Sequence, residues 1–438
     1  MIYFAIIFLI IIILLFVLKE KNITNPVVLF CSVWLFSLVM ASLRLYGMID
    51  FSTKSILIVF LGILFFVLGA FLCVLICKKL KNKFEEKKVD NEKINNVLLI
   101  IILTVGLIMS IILSIKVITL LKNGTPYYSI RKMYYSYGEA QSLINNEKIF
   151  TLFDWIMSVV ITVSTPTVII GIMKKRISKI AIIEYCMVII AYVFSTSGRL
   201  PIFIIVLETV LYAFLNKDNI ELKLKKIIYC VIGALGAIII LMTAIRTSSS
   251  QGKKINTFYT YFSLPLPYLS RMIDYVDENE IQTYGAATTY GPYLLIQKGI
   301  KVCTGYKLKN AETLANVITK PQTYWVRIFT NTNDYYNAYA TLFYYFYLDF
   351  RYTGVILFSF IYGAIAELVY LYYKKTKSMK TTIIYLMISF GVIQSFITWQ
   401  FTSPAIIVSL ILSNILIRRK KTEWKEYWYL EWQICLVE

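Results

Sequence analysis

A long, nearly uncharged hydrophobic stretch recurs about eleven times along this chain, for example at residues 2–18, 56–77 and 97–115. A bilayer core about 30 Å thick needs roughly 20 apolar residues at 1.5 Å rise, with a lower limit near 17. In hydrocarbon every backbone N–H and C=O must bond internally, so such segments are helices. The period-two alternation of a membrane barrel is absent. Apolar residues make up 58% of the 438, more than a soluble core of this size accommodates. The expectation is an all-α polytopic membrane protein with about eleven transmembrane helices.

The expected spans are 2–18, 27–43, 56–77, 97–115, 154–173, 180–196, 200–215, 227–245, 353–373, 383–399 and 404–417. Residues 2–18 lack a basic start and an A-x-A site, so this segment is expected to be an uncleaved first span. Every second loop is basic: seven Lys between 78 and 93, then Lys174, Lys175, Arg176 and Lys179, then Lys217, Lys223, Lys225 and Lys226, then Lys374, Lys375, Lys377 and Lys380, then Arg418, Arg419, Lys420 and Lys421. Short basic loops face the cytoplasm, which puts the N-terminus outside and the C-terminus inside. The net charge of +20 therefore records orientation and gives no reason to expect nucleic acid.

This divides the chain into an N-terminal bundle (1–245, about eight helices, with an outward loop at 116–153), a large extracytoplasmic loop (246–352), C-terminal transmembrane helices (353–417) and a cytoplasmic tail (418–438). In the tail, Trp424, Trp428 and Trp432 recur every four residues, the pattern of a helix lying in the interface. The long loops are aromatic and weakly charged, which argues for order.

Histidine is absent, which removes the commonest general base and metal-binding side chain. The seven cysteines show no metal or disulfide spacing, and no metal or cofactor is expected. Of 34 Tyr, 21 fall in the two long outward loops. They suit an interfacial belt, and equally a carbohydrate-binding surface, where rings stack on apolar sugar faces. Both readings can hold together. Arginine is also biased. Three of ten lie in basic loops, whereas Arg44, Arg131, Arg199, Arg246, Arg271, Arg327 and Arg351 lie on the outward side. A guanidinium matches phosphate oxygens bidentately. Arg199 is the most specific, in the tight turn Ser195-Thr-Ser-Gly198-Arg199-Leu-Pro201, where Gly198 permits close backbone approach and Pro201 starts the next helix. Arg131, Arg199, Arg271 and Arg327 are candidate anion ligands. Glu208, near the middle of a span, is a candidate because intramembrane ionisable groups are functional by default. The outward carboxylates Asp349, Asp334 and Glu280, in that order, are candidate bases. A helix cap is the alternative role for Asp349.

Two patches carry a family resemblance: Ser195-Thr-Ser-Gly198-Arg199, and Asn337-Ala-Tyr-Ala-Thr-Leu-Phe-Tyr-Tyr-Phe-Tyr-Leu-Asp349-Phe350-Arg351-Tyr-Thr-Gly354. With the span and loop plan, they resemble the bacterial O-antigen and capsule repeat-unit polymerases, the Wzy-type family. Arg351 stands where that family commonly has Gly, and the family's R-x10-G pattern does not occur cleanly here. The resemblance implies a polymerase/ligase architecture of the GT-C-like kind in the bacterial cytoplasmic membrane. It further implies glycosyl transfer on the outer face, with undecaprenyl-diphosphate-linked oligosaccharide as substrate. A chain-length regulator and a flippase of the same pathway would be partners. A repeat-unit flippase or other transporter, and another lipid-linked sugar transferase or ligase, are the rival readings. Transporters more often show repeat symmetry and short loops.

Overall fold

The computed structural model describes residues 1–20, 22–80, 92–136, 142–216, 257–305 and 311–419, with Gly233 and Gly236. In chain order the main elements are α1 (Ile2–Glu20), α2 (Pro26–Ser42), α3 (Thr53–Leu80), β1 (Glu92–Ile94), α4 (Asn96–Lys122), α5 (Ile130–Tyr135), α6 (Glu147–Met173), α7 (Lys179–Thr196) and α8 (Leu200–Leu215). There follow α9 (Thr257–Ser263), α10 (Pro265–Glu278), α11 (Tyr290–Thr304), α12 (Ala311–Thr323), α13 (Thr341–Thr376), α14 (Met379–Gln394), α15 (Pro404–Leu416) and β2 (Ile417–Arg419). Five of these, α3, α4, α6, α7 and α13, are long and apolar enough to cross a membrane, and α1, α2, α8, α14 and α15 are shorter apolar helices. The chain is a helical membrane protein. Apart from Gly233 and Gly236, the expected span at 227–245 lies outside the described residues, as do Arg246 and the tail tryptophans.

Helix starts follow local chemistry. Asn25 accepts the Val27 N–H ahead of Pro26 at the first position of α2, and Ser403 accepts the Ala405 N–H ahead of Pro404 in α15. Pro166 is tolerated inside α6, where the hydroxyls of Thr165 and Thr167 bond back to Ile161 and Val163 carbonyls at 2.7 and 2.6 Å. The central seam is α3 against α13. A Cβ on Gly69 would lie 2.0 Å from the Phe360 carbonyl oxygen, and one on Gly363 would lie 2.0 Å from that of Phe66. Only glycine lets the two backbones come this close.

Described residues of the basic segments meet at one end of the bundle and described residues of the long loops meet at another. At the basic end β1 pairs antiparallel with β2, Glu92 opposite Arg419. The buried Glu92 carboxylate accepts the Met379 and Lys380 N–H groups at the start of α14, and Arg176 donates to the Glu92 carbonyl at 2.6 Å. This knot ties four sequence-distant segments together where helix N-termini favour a carboxylate.

The loop end departs from the expected plan at two places. The span expected at 353–373 begins at Thr341, and its helix is broken at Phe350 (φ −144°, ψ 31°) and Arg351 (φ 54°, ψ −134°). In one straight helix Phe346 and Phe358 would stand about 18 Å apart. Their ring centroids are 5.7 Å apart, and a Cβ on Gly354 would meet the Phe346 carbonyl oxygen at 2.2 Å. Residues 341–349 and 352–376 are therefore two arms of a sharp hairpin. The first arm is buried, with Phe343 against Trp34, Phe30 and Gly62, and Gly62 is more than two turns inside α3. The second departure is at α14, which ends at Gln394 rather than 399. The freed backbone at 395–397 accepts from the first arm, Leu342 N–H to the Ser395 carbonyl at 2.9 Å and Thr341 N–H to that of Ile397 at 3.0 Å. Irregular backbone at this depth persists because protein groups satisfy it.

Candidate functional site

The site begins with α5, a single short helix laid across the loop end. Ile130 and Tyr134 are buried beneath it. Arg131 and Tyr135, four apart, share another face, with the guanidinium 5.0 Å from the Tyr135 ring centroid. Below, Tyr134 donates to the Asp154 carboxylate at 3.3 Å. The turn between α7 and α8 arrives from the other side. Its left-handed residue is Ser197 (φ 50°), not Gly198. Gly198 is instead where bulk matters: its N–H donates to Thr196 Oγ1 at 3.2 Å, and a Cβ there would stand 2.9 Å from that oxygen and 4.0 Å from an Arg131 guanidinium nitrogen. The turn thus brings Arg199 beside Arg131.

Two phenols complete the cluster. Arg199 Nη2 donates to the Tyr261 hydroxyl of α9 at 3.4 Å, and the Tyr261 and Tyr339 rings meet edge to face at 5.9 Å. Burial and Tyr261 push the Tyr339 phenol up, while Arg131 and Arg199 pull it down. Two guanidiniums and two phenol hydroxyls thus converge from four elements. Charge-assisted donors so arranged suit a phosphate or diphosphate. Among the described residues Arg131 has no ion pair. Sequence reasoning picked out Arg131, Gly198 and Arg199. It missed Tyr261, which no motif marks, and Tyr339, which sits unremarked inside the quoted Asn337 patch.

The other candidates stand elsewhere. Arg327 is exposed, and its Nε and Nη2 bond to the Thr332 and Thr330 carbonyls of its own turn at 2.9 and 2.8 Å. Arg271 is exposed on α10. Glu208 is buried in α8, with Oε2 lacking a hydrogen-bond partner among the described residues. Glu280 is exposed just past α10 in a left-handed conformation (φ 49°). Asp334 is exposed beside Tyr336, whose phenol burial and the Asp334 charge push up to about 12.

Asp349 differs most from expectation. It neither caps the helix, whose cap position is Ala340, nor faces water. It is fully buried, and its carboxylate accepts from Thr283 Oγ1 at 2.6 Å, Ala287 N at 3.0 Å and Thr288 N at 2.8 Å. It latches the 283–289 segment onto the top of the hairpin. In this arrangement all three donors come from the protein itself, so the carboxylate is engaged in holding the segment.

A second charged group, unanticipated as a unit, flanks this latch. Asp277 pairs with Lys54, accepts from the Tyr347 hydroxyl at 2.8 Å, and lies 3.5 Å from Arg351. The Lys54 ammonium and Arg351 guanidinium stand 5.3 and 5.2 Å from the Tyr347 ring centroid. Arg351 occupies a backbone conformation suited to glycine, which costs on the order of 1–3 kcal/mol. No known protein family matches the chain, and neither the curated proteins nor the solved structures contain a match.

Proposed function

We propose that this protein is a membrane glycosyltransferase that joins lipid-linked oligosaccharide repeat units into a polysaccharide on the extracytoplasmic face of a bacterial cytoplasmic membrane. The observation that carries the reading is the meeting of Arg131 and Arg199, from separate loops, with Tyr261 and Tyr339 at the loop end. The two patches that resemble repeat-unit polymerases add to it, since one supplies Arg199 and the other begins two residues before Tyr339.

On this reading the donor is a glycan on a polyprenyl diphosphate, and the two guanidiniums hold the diphosphate. The bond from the anomeric carbon to the diphosphate oxygen breaks as the acceptor hydroxyl oxygen bonds to that carbon. Arg131, Arg199 and the phenol hydroxyls stabilise the charge that develops on the departing diphosphate. The acceptor proton goes to a carboxylate. Asp334 is the better candidate than Asp349, being exposed and five residues from Tyr339. The same geometry would serve any enzyme that displaces a lipid diphosphate, so the resemblance is what selects polymerisation.

The deciding experiment is deletion of the gene in its host, followed by isolation of lipid-linked oligosaccharides. Single repeat units accumulating on the outer face are the expected result. Units held on the inner face would replace this reading with a flippase. Normal polymer would dismiss it.

A further inference from the structure

We propose that residues 324–337 form a glycan-binding platform on which Trp325 and Tyr335 stack against sugar rings of the lipid-linked oligosaccharide, an inference that rests on the reading above. The segment folds back on itself through Val326 and Tyr336, whose backbones exchange both hydrogen bonds at 2.9 Å. In such a pair the two side chains share one face and their neighbours share the other. Val326 and Tyr336 turn inward, with the Tyr336 ring 5.5 Å from that of buried Phe329. Trp325, Arg327, Tyr335 and Asn337 therefore share the outer face. Trp325 and Tyr335 are 60% and 58% exposed, unusually open for rings of this size.

The platform is held rigid from beneath. Ile49 N–H donates to the Ile328 carbonyl and Thr330 N–H to that of Gly47, both at 2.9 Å, which fastens the segment to the α2–α3 loop. Its polar groups are fixed too. The Arg327 guanidinium is oriented by the two carbonyls of its own turn, and Asn337 Nδ2 donates to the Gln322 carbonyl, which leaves the amide oxygen as an acceptor. Two open rings flanked by oriented donors and an acceptor match a sugar, whose apolar C–H face stacks while its equatorial hydroxyls bond sideways. The surroundings add polar groups at the rim of the rings. Here the surrounding exposed residues are Thr330, Asn331, Asn333 and Asp334.

Position links the platform to the anion site. Asn337 and Tyr339 are two residues apart, within about 7 Å along the chain, and Tyr339 packs on Tyr261 beside Arg199. A glycan whose diphosphate rests on Arg131 and Arg199 would lay its following sugars over Tyr335 and Trp325.

The test uses full-length protein in lipid nanodiscs, with free oligosaccharide released by mild acid from the host's lipid-linked material as the probe. Binding is measured by saturation-transfer NMR titration. Trp325→Ala and Tyr335→Ala are each expected to weaken binding about tenfold, and Trp325→Phe to retain most of it. Brominated phospholipid in the same nanodiscs should quench wild-type tryptophan emission no more than that of Trp325→Phe. Equal binding by wild type and both alanine variants would overturn the platform, as would no binding by wild type at millimolar probe. A lipid-quenching component lost with Trp325 would make it a bilayer anchor and also overturn it. None of these results touches the polymerase reading, which stands or falls on which face the trapped repeat units occupy.

Discussion

Asp349→Asn separates a latch from a base. The carboxylate is wholly buried and holds two backbone N–H groups and a hydroxyl at 2.6–3.0 Å. With Asn, one oxygen can keep Thr283 and Ala287, but the amide nitrogen then faces the Thr288 N–H, donor against donor. One charge-assisted bond worth roughly 1.5–3 kcal/mol is lost, and a buried N–H loses its partner at about 1–3 kcal/mol. The loss is therefore expected at roughly 2.5–6 kcal/mol, a large share of a typical total of about 5–15 kcal/mol. Asp349→Ala removes all three acceptor contacts and should be worse. The assay is thermal unfolding of purified protein in detergent, with limited proteolysis to locate the opening, alongside polymerising activity per folded molecule. The expected result is a clearly lower midpoint, cleavage within 283–289, and activity that falls in step with folded protein. A wild-type midpoint with a rate down roughly 100-fold would refute this reasoning and restore Asp349 as the base.

Three further outcomes follow from the geometry. Arg131→Lys and Arg199→Lys keep charge but lose the planar fork, so each should cut polymer formation at least about tenfold at normal protein level, as judged by polymer length on gels. Full-length polymer from both variants would remove the anion site. Arg351→Gly relieves a left-handed backbone at about 1–3 kcal/mol and gives up a partly exposed pair with Asp277 worth roughly 0–1 kcal/mol, so the thermal midpoint should hold or rise. A fall of several degrees would mean the Arg351 contacts outweigh the strain. Gly363→Ala puts a methyl against the Phe66 backbone oxygen, which no side-chain motion relieves. Overpacking of roughly 1–3 kcal/mol should appear as a lower midpoint, and an unchanged one would contradict the close α3–α13 seam.

Much of the architecture is decided within short windows of sequence. Hydropathy marks a helix because burial in hydrocarbon depends on each residue's own side chain and on internal backbone bonding, so ten of the eleven expected segments correspond to apolar helices, and the remaining one, 227–245, is described only at Gly233 and Gly236. The Arg199 turn was legible for the same reason, as glycine and proline act on their immediate backbone. The aromatic run 341–348 reads as loop in the sequence because its Tyr content looks interfacial, whereas in the structure its rings are buried, Phe343 against α2 and α3 and Phe346 against Phe358 and Trp399. Which groups meet was decided only by tertiary packing. Arg199 finds Tyr261 across 62 positions, and Lys54 finds Asp277 across 223. Asp349 became a latch because the hairpin at Phe350 and Arg351 turned its carboxylate toward the N–H groups of 287 and 288. A local pattern states which atoms can donate or accept. The fold alone sets the distances at which they do so.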